Sequence, residues 1–320
     1  LPGAFTPFMK SARPLRRWRI HTQEKPLVKL MIGHFALALL SMTMLQSVHW
    51  GLFLDAFGAE ALPFYFFGKG LLLLIVSLIY SLWVVPHFNR RQEMLGAVGL
   101  MGTALLFTWS LDGSWLYLPL SIGSEVFISI FSVQCWALYS DCMDSRQSKR
   151  LMPLVGAGGT LGAIIGGLLT GLLVHSAGPE NLLIVCAIGL TLVGWFSQRL
   201  VKDWLHSAAP SPVPPVDGPQ GQIKRLFHEI FSQRLLLLFM LIILGMKLIV
   251  NLSEYQMQFL LKASYNKAEI TAWMGMFLAS MHLLTLAIQL GLENRLLQRY
   301  GPLVGLAWAP LVSLMGALGF

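Results

Sequence analysis

Ser124-Glu-Val-Phe-Ile-Ser-Ile-Phe-Ser-Val-Gln134 leads into the polar turn Asp141-Cys-Met-Asp-Ser-Arg-Gln-Ser-Lys-Arg150. That turn opens Pro153-Leu-Val-Gly-Ala-Gly-Gly-Thr-Leu-Gly-Ala-Ile-Ile-Gly-Gly167. The first part is an acid, Glu125, set in the otherwise nearly uncharged span Leu116–Leu138. The last part is an apolar run in which Gly158, Gly162 and Gly166 step by four, flanked by Gly159, Ala163, Gly167 and Gly171. Small residues at that spacing let two membrane helices approach closely. An intramembrane acid, a basic turn and a close-packing helix make a transmembrane hairpin, and the rest of the chain reads around it.

Composition points the same way. Of 320 residues, 55% are hydrophobic and 12% charged, against about 25% charged in soluble domains. The solvent for most of the chain is therefore lipid. A net charge of +8 raises the possibility of nucleic acid, but no basic patch is interleaved with stacking aromatics. Instead the bases sit in short loops between apolar segments. Cys135, Cys142 and Cys186 lie in or beside apolar stretches, without metal-ligand spacing or a disulfide framework. The chain opens at Leu1 and ends within an apolar run at Phe320, and is expected to be part of a longer protein.

About 20 apolar residues cross a bilayer as a helix, and nine segments qualify. They are Leu27–Leu54, Leu62–Val85, Met94–Leu111, Leu116–Leu138, Leu151–Val174, Leu182–Phe196, Leu235–Leu261, Ile270–Leu290 and Leu303–Phe320, the sixth and ninth being short. Loop charges alternate along this series. A basic N-terminus is followed by Asp55 and Glu60, then Arg90 and Arg91, Asp112, the Arg146/Lys149/Arg150 turn, Glu180, and Arg199 with Lys202. The positive-inside bias puts the N-terminus in the cytoplasm. Lys262 and Lys267 fall on the outer side and weaken the alternation near the end.

Ala208-Ala-Pro-Ser-Pro-Val-Pro-Pro-Val-Asp-Gly-Pro219 reads as an extended linker. Ile223, Leu226, Phe227, Ile230 and Phe231 after it have the spacing of a short amphipathic surface helix. The expected plan is a six-helix bundle in residues 1–205, a linker with surface helix in 206–234, and a partial second bundle of three helices in 235–320. This is an all-α polytopic membrane protein with the organisation of a transporter built from parallel repeats.

Ionisable groups inside spans are costly, and mark substrate or ion pathways by default. Here they are Lys69, Glu125, Lys247 and Glu254. Lys247, Asn251, Glu254 and Gln258 form one polar stripe on span seven, as Glu125, Ser129, Ser132 and Trp136 do on span four. Span one adds Gln46 and His49. Contact with substrate or coupling ion is the functional reading of Glu125, Glu254, Lys247, Asn251, Gln46 and His49. Structural pairing of the acids with Lys247 is the alternative, and His49 also reads as a hydrogen-bonded packing residue. Lys69 lies two turns into its span and can snorkel to the interface, while His34 and His282 read as packing. Arg146, Lys149 and Arg150 are expected to form cytoplasmic gate contacts with Asp141 or Asp144. Gly156-Ala-Gly-Gly-Thr-Leu-Gly162 lacks dinucleotide-loop spacing. No catalytic set, metal cluster or cofactor motif is visible, so the chain is read as a non-enzyme.

Three stretches together resemble the ATP/ADP translocase (nucleotide transporter) family and its bacterial relatives. They are Gly58-Ala-Glu-Ala-Leu-Pro63, then Glu125 through Lys149-Arg-Leu-Met-Pro-Leu-Val-Gly-Ala-Gly-Gly159, and Asn251-Leu-Ser-Glu254. The resemblance covers nearly the whole chain, and the second stretch is its most specific part. It implies major-facilitator-type bundles, alternating access, and Glu125 and Glu254 as transport-critical acids. The substrate it implies is an organic anion, ATP or ADP among them, moved through a lipid bilayer by antiport. The sequence departs from that family by lacking a lysine in Gln46-Ser-Val-His-Trp50, by Gln258 in place of a lysine, and by Asp141 in place of an asparagine. A secondary transporter is the first reading, and a non-transporting facilitator-like scaffold or sensor the second.

Overall fold

The computed structural model describes residues 20–111, 113–205 and 231–289. Eight helices in it are long and apolar enough to cross a membrane. These are α1 (Lys25–Phe57), α2 (Leu62–Ile79), α3 (Arg90–Leu111), α4 (Tyr117–Asp141), α5 (Ser145–Ala177), α6 (Pro179–Trp204), α7 (Arg234–Ser264) and α8 (Lys267–Ile288). The ninth span, the Pro-rich linker and most of the surface helix expected from the sequence lie outside the described residues.

Local chemistry sets the boundaries. Proline stands in the first turn of α1, α2 and α6, where a missing N–H costs nothing. Gly58 and Gly178 end α1 and α5 at φ of 71° and 79°, a region open to glycine at little cost. Beyond Ile79 the chain of α2 widens into a π-turn over Tyr80–Val84 and then makes one α-turn, Val85–His87. Pro86 cannot donate to the carbonyl four residues back and its ring crowds that turn, which accounts for the widening. The sixth span is not short, since α6 has 26 residues. It runs past the apolar core through Arg199 and Lys202, which remain helical beyond the hydrocarbon.

Helix α5 is the spine. It packs along α1 on one side and α8 on the other, while α6 packs on both α1 and α3, and α4 lies against α1, α2 and α3. The glycine ladder makes these approaches possible. A Cβ on Gly162 would lie 1.9 Å from the Ala36 carbonyl oxygen, and one on Gly166 2.4 Å from that of Leu40. On the next face, a Cβ on Gly167 would sit 2.3 Å from the Gly275 carbonyl oxygen. The stripe thus splits between two neighbours, with Gly158, Gly162 and Gly166 facing α1 and Gly167 and Gly171 facing α8.

A long apolar core runs through α1, α3, α4, α5 and α6. A second cluster, Trp50, Phe53, Leu54, Tyr65, Leu261, Ile270 and Met274, joins α1 and α2 to α7 and α8. Outside these, Phe64 is 80% and Leu100 75% exposed. Apolar surface on that scale is stable only against lipid, and the protein is an integral membrane protein. Cys135 and Cys186 are buried and Cys142 half-buried, all as free thiols.

Gly162→Leu is expected to destabilise the protein by at least the 1–3 kcal/mol typical of overpacking, read as a lower thermal midpoint in detergent. Gly99→Ala, where an added Cβ meets nothing within 4 Å, should leave the midpoint unchanged or slightly raised.

Candidate functional site

Gln46 and His49 lie three residues apart on α1, on the face turned to α4. Gln46 Nε2 donates to Glu125 Oε1 at 3.4 Å. His49 Nε2 stands 3.3 Å from the same oxygen. That approach is close in distance but off-line for a hydrogen bond, so it is a polar contact rather than a directed bond. The other carboxylate oxygen, Oε2, lies 3.6 Å from Lys69 Nζ on α2. Three helices thus converge on one carboxylate in the hydrocarbon. Lys69 also sits over the rings of Tyr65 and Phe66, 5.5 and 5.1 Å from their centroids, where ring quadrupoles favour a cation. It does not snorkel to an interface. Its exposure is 17%, and the aromatic pair and Glu125 together draw it inward.

Glu254, on α7, is half-buried and feels the charges of Lys69, Glu125 and Lys247. Among the described residues it has no hydrogen-bond or ion-pair partner within contact distance. Lys247 is exposed and two turns away on the same helix, about 10.5 Å along the axis at 1.5 Å per residue, and Asn251 between them is half-buried. Of the three groups Glu125, Glu254 and Lys69, two are acids and one a base, an excess of one formal negative charge.

Tyr65 Oη, His49 Nδ1 and both amide atoms of Gln258 are buried with no partner among the described residues, and the His49 and Tyr65 rings flank Trp50. Buried polar atoms are paired in folded proteins as a rule. Unpaired buried polar atoms are where water, a proton or a polar solute can be held. Tyr65 carries no sequence signal for this role. Gln258 lies on the span-seven stripe and was legible there, whereas Lys69 was visible in sequence without its orientation.

Asp141 and Arg150 of the turn both reach partners outside it. Asp141 takes Arg90, whose Nε donates to Oδ2 at 2.8 Å, and Arg90 Nη1 also donates to Glu93 Oε2 at 3.1 Å. Arg150 pairs with Glu24. Asp144 precedes α5, and its N–H donates to the Gln147 side chain at 3.1 Å. Arg146 is exposed and meets neither acid, and Lys149 is placed in the first turns of α5. The reason is helical rotation. Successive residues of α5 are fanned around its axis, so Arg150 and Gln147 face the start of α1 while Arg146 is exposed. At the opposite end Lys262 lies 3.7 Å from Asp55, and Lys267 pairs with Glu180.

His34 lies fully inside the bundle. Its Nδ1 is 2.5 Å from Tyr139 Oη and its Nε2 2.7 Å from Ser197 Oγ, a polar tie between α1, α4 and α6. This agrees with reading His34 as a packing residue.

A family model described as the Major Facilitator Superfamily matches residues 30–320. Comparison with curated proteins and with solved structures returned no match.

Burial works against ionisation of Glu24. The His21 N–H, the Arg150 guanidinium and the Gln147 amide outweigh it and hold the carboxyl below its ordinary value. A carboxyl lowered on folding contributes stability above the unfolded value near 4.5 and loses it as pH falls through the folded value. Glu24→Gln is expected to lower stability at pH 7 by at most about 1 kcal/mol, as for ion pairs near water. Thermal melts of the two proteins should converge as pH falls through the folded-state value of the wild-type carboxyl, which lies below 4.5.

Proposed function

The chain belongs to the Major Facilitator Superfamily, and from that premise we propose that it is a secondary transporter working by alternating access at the Glu125–Lys69–Glu254 cluster. The first six helices form one bundle, and α7 and α8 begin the second. The Glu24 end faces the cytoplasm, a reading that rests on the loop charges. The ion pairs Asp55–Lys262 and Glu180–Lys267 join the two bundles at the other end.

One observation carries this reading: the intramembrane ion pair Glu125–Lys69 acts electrostatically on Glu254, a second acid with no ion-pair partner among the described residues. A structural pair alone has no need of a second, unpaired acid, and such an acid is costly in a membrane. Charge also bears on the substrate. An organic anion meeting this cluster encounters one excess negative charge, and Lys69 is already held by Glu125. Protonation of one carboxylate removes the excess and frees Lys69 to accept the anion. Anion binding and proton uptake then favour each other, which by linkage gives coupled transport. A nucleoside triphosphate is the least well matched anion, because Lys69 and Lys247 are the bases that the described spans offer it.

Uptake of labelled mono- and dicarboxylates, ADP and ATP into proteoliposomes, with and without an imposed pH gradient, tests this reading. Wild-type protein should accumulate an anion in a gradient-dependent way. Glu125→Gln and Glu254→Gln should each lower that rate at least about tenfold, a loss of ~1.4 kcal/mol. Uptake that is unchanged in both variants would remove the cluster from the mechanism. Uptake of ADP in exchange for ATP, insensitive to the gradient, would replace proton coupling with nucleotide antiport.

A further inference from the structure

Away from the Glu125 cluster, α2 with its π-turn, α3 and α4 enclose a cleft of about 500 Å³. That is within the range of small-molecule sites. Its walls are almost wholly apolar and include Leu72, Val76, Leu100 and Phe127. Leu100 is 75% exposed, so the mouth opens toward lipid. From Leu72 to Val84 the α2 wall runs twelve residues, about 18 Å, close to one leaflet of a ~30 Å hydrocarbon core.

The inner end of the cleft is polar, and one of its acceptors, Gln134 Oε1, lacks a partner among the described residues. Gln134 is 2% exposed, lines the cleft, and its Oε1 accepts no hydrogen bond among the described residues. Beside it Glu93, 5% exposed, accepts from Tyr80 Oη and Arg90 Nη1, both through Oε2 at 3.1 Å. Tyr80 reaches it from the first residue of the π-turn, a local widening often found at functional sites. Arg90 is shared between Glu93 and Asp141, which leaves one net negative charge at this end. The closed end thus offers acceptors and negative charge, and the rest offers hydrocarbon.

We propose that the cleft between α2, α3 and α4 binds a lipophilic primary amine, its chain along Leu72, Val76, Leu100 and Phe127 and its ammonium donating to Gln134 Oε1 and Glu93. An ammonium brings three donors and no acceptor, which matches a carbonyl and a carboxylate that have accepting capacity left. A phospholipid, even an amine-bearing one, would bring its phosphodiester against Glu93 and Asp141. A fatty acid would set a second carboxylate there. Both are opposed by like charge in a medium of low dielectric. The inference is independent of the transport reading, since the cleft shares no residue with the Glu125 cluster.

The test uses the full chain in phosphatidylcholine proteoliposomes and a dodecylamine that carries a photoreactive diazirine in its chain, with cross-linked peptides mapped by mass spectrometry. Labelling is expected to saturate and to fall on α2, α3 and α4 around the cleft. Unlabelled dodecylamine should compete, and dodecanoate and phosphatidylethanolamine should not. Gln134→Leu should lower labelling at subsaturating probe at least about tenfold, the loss of a hydrogen bond to a charged group. Gly96→Phe places a ring where an added Cβ meets nothing within 4 Å, on the cleft wall. It should abolish labelling with the thermal midpoint unchanged, so loss of labelling there cannot be ascribed to misfolding. Labelling that is absent, does not saturate, or persists in Gly96→Phe would overturn the proposal. Equal competition by dodecanoate would reduce the site to an apolar groove, and equal competition by phosphatidylethanolamine would assign it to a membrane lipid; either result overturns the amine.

Discussion

A carboxylate at the centre of a bilayer costs about 2.5–3.5 kcal/mol on insertion scales, and Glu125 has to recover that cost from its neighbours. It does so through Lys69, His49 and Gln46, drawn from two other helices. That demand fixes how α1, α2 and α4 are rotated about their axes. It turns Lys69 inward, over the Tyr65 and Phe66 rings. It also places Trp50, next to His49, into the cluster that receives α7 and α8. The electrostatics of one side chain thereby reaches the packing of five helices.

Close packing supplies the complementary constraint. With apolar solvent all around, helices associate in a membrane through contact and hydrogen bonding rather than through hydrophobic burial. Gly162 and Gly166 bring the backbone of α5 onto that of α1, and Gly167 with Gly275 does the same for α5 and α8. His34 adds buried hydrogen bonds between α1, α4 and α6. A spine that touches its neighbours at backbone distance holds α1 in a fixed register. His49 and Gln46 are carried on that helix, so the geometry around Glu125 inherits the stiffness of the glycine contacts.

Much of this was legible in the sequence, for identifiable reasons. Spans were readable because hydrocarbon thickness sets a minimum apolar length, and the ladder from Gly158 to Gly171 because small residues at a period of four have few other uses in a membrane helix. Acids in a span announce themselves by their cost, so Glu125 and Glu254 stood out. What stayed hidden depends on rotation and on partners distant in sequence. Lys69 near the start of a span can point outward or inward, and only the position of α4 decides. The Arg146–Arg150 turn looked like one basic patch, yet Arg146 is exposed while Arg150 finds Glu24, and Asp141 goes to Arg90. The true extent of α6 was hidden because charged residues beyond the hydrocarbon look like loop although they remain helical.

The central claim is that Glu125 and Glu254 border one aqueous chamber that opens in turn to each side of the membrane. Asn251, half-buried one turn before Glu254, reports on it directly. Native Cys142, whose thiol is pushed up to about 11 by burial and by Asp141, reacts slowly at neutral pH and gives little background. The measurement is labelling of Asn251→Cys by a membrane-impermeant maleimide applied separately to each face of oriented vesicles. The account predicts modification from both faces, with substrate or a pH gradient shifting the balance between them. Modification from neither face, or from one face alone under every condition, would contradict it.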